Sequence, residues 1–100
     1  MKTYKGQRTG CAINVTVDGF PLNPRLDIWD YSPYGFEWGY DMEGTAQLAL
    51  ALLADFLGDD MKALRLHHDF KRTLLVPLHH DYNCWVITEN EMRSYLATLH

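Results

Sequence analysis

The sequence predicts an α+β fold: a small, mostly antiparallel sheet with about three helices packed around a central apolar helix. Three observations carry that expectation. Apolar and polar residues alternate in Ile13-Asn14-Val15-Thr16-Val17, the period of a half-buried strand. Residues 46–54 are nearly all strong helix formers and are apolar around most of a helix circumference, which demands cover on several sides. Thr88-Glu89-Asn90-Glu91 is a complete capping box ahead of Met92, Tyr95, Leu96 and Leu99 at helical spacing.

The first expected strand covers residues 11–17, and Asp18-Gly19 supplies a tight turn that tolerates positive φ. Residues 20–22 begin the return strand, which Pro21 and Pro24 confine to an edge or an end. Ser32-Pro33 turns the chain into residues 34–41, where Tyr34, Phe36, Trp38 and Tyr40 alternate strictly with Gly35, Glu37, Gly39 and Asp41. A period of two puts the four rings on one face of an extended, aromatic strand. The central helix is expected over residues 45–57, with Thr45 as N-cap and Gly58 as C′ residue. Its Leu48, Leu52 and Leu53 should pack against Phe36, Trp38 and Tyr40 and against Met92, Leu96 and Leu99. Asp59 or Asp60 caps a second helix over residues 61–75, with Ala63, Leu66, Phe70 and Leu74 on its buried stripe, and Pro77 stops it. A short strand over residues 84–87 precedes the terminal helix.

A chain of 100 residues that is 47% hydrophobic suits a single domain with one core. No apolar run reaches the length of a bilayer span and the N-terminus lacks a signal-peptide pattern, so a soluble, cytoplasmic protein is expected. Cys11 and Cys84 have no ligand spacing and read as reduced thiols. The net charge of −4 disfavours a phosphate-backbone binder. Direct nucleic-acid binding would require Arg8, Arg25, Lys71 and Arg72 to meet on one face. The acids are concentrated instead: Asp27, Asp30, Glu37, Asp41 and Glu43 follow one another with no Lys or Arg between them. An acidic, aromatic surface built from Trp29, Asp30, Tyr31, Tyr34, Glu37, Asp41 and Glu43 would suit a host protein or nucleoprotein complex with a basic surface.

The run Ser32-Pro33-Tyr34-Gly35-Phe36-Glu37-Trp38-Gly39-Tyr40, followed by Ala46-Gln47-Leu48-Ala49-Leu50-Ala51-Leu52-Leu53, resembles the hallmark of an uncharacterised family, a domain of unknown function carried by bacteria, archaea, plasmids and phages. Val17-Asp18-Gly19 with Pro21-Leu22, Phe70-Lys71, and Trp85 ahead of the last helix are similar to that family as well, so the resemblance covers about residues 4–96. It implies relatedness without an activity. Where the family usually has Asn-His before Ser-Pro, this chain has Asp30-Tyr31, and in place of a Gly-Gly-Ser-Gly-Pro loop it has Asp41-Met42-Glu43-Gly44-Thr45. A glycine loop at a helix N-terminus can cradle phosphate. Asp41 and Glu43 put negative charge there instead, which favours the helix and argues against an anion site.

His67-His68-Asp69 and His79-His80-Asp81 repeat one tripeptide. Neighbours on a helix point about 100° apart, so at most one of His67 and His68 should face a site with Asp69. No HExxH-like spacing accompanies them, and Ser32, Cys11 and Cys84 lack the motifs that activate a nucleophile. With no catalytic, metal or cofactor signature, the expected function is a non-enzymatic protein-interaction module of a phage or mobile element, for example an anti-CRISPR-like inhibitor of a host defence complex. The alternative is a small hydrolase or ligand-binding protein, with its site near the Gly44/Thr45 helix start or at the His-His-Asp tripeptides.

Overall fold

A computed structural model describes residues 1–10, 12–33, 35–78 and 83–99. Its elements run β1 (Thr3–Thr9), β2 (Ala12–Val17), β3 (Phe20–Pro21), α1 (Glu43–Leu57), α2 (Asp60–Phe70), β4 (Cys84–Thr88) and α3 (Glu89–Ala97). A π-helical turn, Lys71–Leu75, extends α2. The strands form one sheet in the order β3-β2-β1-β4, and each pairing is antiparallel. The fold is thus α+β, with a four-stranded antiparallel sheet and three helices.

The sheet contains a strand that the sequence pattern does not announce. β1 lies between β2 and β4, with Tyr4 opposite both Val17 and Ile87, and Gly6 opposite both Val15 and Trp85. Its buried positions are Tyr4 and Gly6, so only one of them carries a side chain and no apolar alternation is visible. Trp85 explains the glycine. A Cβ on Gly6 would stand 2.2 Å from Trp85 Cε2, far inside carbon contact distance. The indole of Trp85 in turn meets Trp38 edge-on, with ring centroids 5.6 Å apart.

The expected aromatic strand is absent: the described residues of the 34–41 segment form a loop. Gly35 and Gly39 adopt φ of 132° and 80°, which break the extended path and destroy the period of two. Consequently the rings part company. Trp38 is fully buried, Phe36 is half-buried and Tyr40 is 43% exposed. Tyr34 lies outside the described residues.

α1 starts two residues earlier than its expected cap. Met42 occupies the N-cap without a side-chain bond, and Thr45 sits buried in the first turn, where its hydroxyl donates to the Tyr40 carbonyl at 2.6 Å. From Thr45 to Ala54 every residue of α1 is buried. Leu48, Leu52 and Leu53 share the core with Trp38 and Met92, and Phe36, Leu96 and Leu99 pack against it. The local punctuation matches the sequence. Gly58, at φ 64°, closes α1 by donating to the Ala54 carbonyl, and the Asp59 side chain accepts from Lys62 N at 3.1 Å. Thr88 and Glu91 exchange both bonds of the capping box.

Asp55, near the end of α1, ties the helix to β1. It accepts from Tyr4 Oη at 2.8 Å and from Lys2 Nζ at 3.2 Å. Burial, and then the Asp55 carboxylate, raise the Tyr4 phenol far above its ordinary pKa. Cys84 is an exposed free thiol, whereas Cys11 lies outside the described residues. Among the described residues no helix is long and apolar enough to cross a membrane.

Candidate functional site: a clamped aromatic loop

Between β3 and α1 the chain has no regular structure over residues 22–33, so its backbone polar groups must find partners elsewhere. Gln47 supplies them. This fully buried side chain accepts from Tyr31 N at 2.7 Å and Ser32 N at 3.1 Å through Oε1, and donates to the Pro24 carbonyl at 2.6 Å and the Trp29 carbonyl at 3.0 Å through Nε2. All four bonding positions of the amide are filled. A second tie comes from Arg25, which bonds both Asp27 oxygens at 3.1 Å and reaches Asp60, at the start of α2, at 2.8 Å. The clamp leaves Trp29 56% exposed on a fixed backbone, next to the exposed Asp30.

Tyr31 carries the loop to α2. Nδ1 of His67 lies 2.6 Å from the Leu64 carbonyl, which can only accept, so that nitrogen holds the proton. Its Nε2 is therefore the acceptor for the Tyr31 hydroxyl at 2.7 Å, and His68 Nε2 stands 3.4 Å from the same oxygen. The two imidazole centroids lie 4.1 Å apart with their planes tilted by 35°, and the Tyr31 ring lies 6.2 Å from that of Trp29. Burial holds the His67 imidazole below its ordinary pKa, against the opposing pull of the Leu64 bond. Burial likewise raises the Tyr31 phenol. Beyond the histidines, Lys71 binds Asp41 at 2.8 Å and, with smaller contributions from Arg72 and His68, keeps that carboxyl below the usual range.

The structure brings together some of the residues singled out from the sequence and separates others. Trp29, Asp30 and Tyr31 share the clamped loop, and Asp41 joins them across His68 and Lys71. Glu37 is engaged elsewhere, pairing with Arg8 of β1 and accepting from Trp38 N at 3.0 Å, while the Arg8 guanidinium lies 4.8 Å from the Trp38 ring centroid. Glu43 is exposed in the first turn of α1. The acidic run is thus less acidic in space than in sequence. Glu37 and Asp41 each carry a cation brought in by the fold, Arg8 and Lys71, and Asp27 pairs with Arg25 two residues away. The same pairs, together with Arg72 on Asp69, occupy all four cations that a nucleic-acid face would have needed.

The helix start and the first tripeptide are also occupied. Gly44 lies under the aromatic loop, where a Cβ would come within 3.1 Å of Glu37 Cβ and 3.2 Å of its backbone nitrogen. His67 is 1% exposed with a partner on each nitrogen. Both histidines approach Tyr31, although helix geometry sets their Cβ directions apart. Among the described residues no group of three His, Cys, Asp or Glu stands close enough to hold a metal ion, and His79, His80 and Asp81 lie outside them. Gln47 escaped the sequence reading, and His67 entered it only as part of its tripeptide, not as the buried partner of Tyr31. The available signal for Gln47 was a lone amide inside an otherwise apolar helix, which had to be satisfied by something non-local.

Fold and loop together define a small α+β protein that displays one aromatic side chain on a rigidly held, irregular segment. The chain belongs to a family of unknown function, DUF6166, whose model matches residues 4–98. No curated protein and no solved structure matches it.

Proposed function

We propose that this protein is a non-enzymatic binding module that recognises a partner protein through the clamped loop, with Trp29 as the anchor and Asp30, Tyr31 and His68 around it. One observation supports this reading above the others: Trp29 is 56% exposed although its own carbonyl is held by the buried Gln47. A large aromatic presented on an ordered backbone loses little freedom on binding, which is what an interface hot spot requires. Asp30 and Glu43, which have no cation partner among the described residues, favour a partner with a basic surface. The narrower idea of a phage or mobile-element inhibitor that mimics nucleic-acid charge in a host defence complex draws less support, because Asp27, Glu37 and Asp41 are already neutralised in pairs.

Quantitative capture from host lysate with wild type, Trp29→Ala and Asp30→Ala tests the proposal. The surface variants should keep the wild-type Tm and lose the specifically captured protein. Identical capture profiles for all three folded proteins would remove the loop from any binding role.

A further inference from the structure

Where the end of α1 meets α2 and α3, a cavity of about 330 Å³ is floored by Leu57, Leu66, Leu96 and Leu99 and edged by Lys62 and Arg65. It shares no residue with the Gln47 loop. Leu57, Leu96 and Leu99 are only half-buried, so apolar surface remains there to be covered. Lys62 and Arg65 lie three residues apart, on one side of α2.

These two cations differ from most others in the chain. Lys2, Arg8, Arg25, Lys71, Arg72 and Arg93 all stand in ion pairs. The side chains of Lys62 and Arg65 have no hydrogen-bond or carboxylate partner among the described residues, and Asp69, the nearby acid on the cavity wall, is engaged by Arg72. In a protein of net charge −4, a pair of cations without a partner among the described residues, above four leucines, is a local exception. The size of the cavity lies at the lower end of small-molecule sites, about 300–1,000 Å³. A volume of that size suits a single flexible chain.

We propose that this groove binds a monocarboxylate amphiphile of the fatty-acid class, its acyl chain on the leucines and its carboxylate between the Lys62 ammonium and the Arg65 guanidinium. Arginine offers a fork matched to a carboxylate, and lysine adds a mobile point charge beside it. An alcohol of equal chain length would cover the same leucines and leave both cations without a counter-charge. Head-group discrimination is therefore the signature of the site.

Calorimetric titration of the full chain with sodium decanoate, kept below micellar concentration, should give one saturable site. Decan-1-ol should bind at least about tenfold more weakly, as loss of a charged hydrogen bond implies. Lys62 lies in the first turn of α2, where an acid suits the helix, and Arg65 is exposed further along it, so Lys62→Glu/Arg65→Glu should fold and lose decanoate at least about tenfold. Leu99→Ser should weaken both ligands alike. Absence of decanoate binding to the folded wild type, equal affinity for the alcohol, or unchanged affinity in the charge-reversed variant with unaltered Tm would each overturn the proposal.

Discussion

Replacing Gln47 with leucine removes four hydrogen bonds in one step, two accepted from Tyr31 N and Ser32 N and two donated to the Pro24 and Trp29 carbonyls. Each such bond contributes about 0.5–1.5 kcal/mol net. Trp29 and its neighbours lie near solvent and can recover water, and leucine adds some apolar burial, so the expected loss is about 3 kcal/mol rather than the upper sum. In urea the midpoint should then fall by about 1–3 M. Hydrogen exchange localises the effect: the Tyr31 and Ser32 amides, protected by Oε1 in the wild type, should exchange freely in the variant. Gln47→Glu supplies a second reading, because it keeps the acceptor while losing donors. Its buried carboxyl has a raised pKa in the folded state, so the native state binds the extra proton and stability falls as pH rises above about 4.3. A Gln47→Leu loss below about 1 kcal/mol, the scale of surface substitutions, with the Tyr31 and Ser32 amides still protected, would refute the clamp.

Gly6→Ala should cost about 1–3 kcal/mol by forcing Trp85 off β1, since the new Cβ would sit 2.2 Å from the indole. Trp85→Leu in the same chain should recover part of that loss, and chemical denaturation that finds the single variant neutral would contradict the packing. The His67 imidazole, depressed by burial and faced by His68, Tyr31 and Lys71, contributes stability that is present above the ordinary histidine pKa of about 6.5 and lost as pH falls towards its lower folded value. The Tm of wild type should therefore fall more steeply than that of His67→Gln between about pH 7 and pH 5, and parallel slopes would argue against a buried neutral imidazole.

What could be read in advance was whatever neighbours in sequence decide among themselves. Gly58, Asp59 and the Thr88–Glu91 box are short-range devices, and they mark helix boundaries in the structure as in the sequence. Thr45 was a poorer guide, because a threonine near a helix start can equally be buried in the first turn and bond backward to Tyr40. The aromatic row misled for a stronger reason. Its spacer glycines, which made the alternation conspicuous, also provided the positive φ that abolished it. β1 was hidden by the opposite effect, since one of its buried positions is a glycine shaped by a residue far along the chain. The candidate site combines both problems. Trp29, Asp30 and Tyr31 were visible as residue types, but Gln47, His67 and the cations on Glu37 and Asp41 come from β1, α1 and α2, which only the tertiary fold brings together.

The placement of β1 also has a consequence for the birth of the protein. Thr3 pairs with Thr88, so one neighbour of the first strand is encoded at the far end of the chain. On the ribosome the β1–β2 hairpin emerges early, and its other margin stays bare until β4 follows α2. During that interval Gly6 is an empty slot and the strand offers unpaired amides to any nascent copy nearby, the circumstance in which strands mispair between molecules. Arrival of Trp85 closes the slot and the margin together. The step joins distant segments and is accordingly slow compared with hairpin formation, so nascent chains depend on β4 to cover this margin of β1.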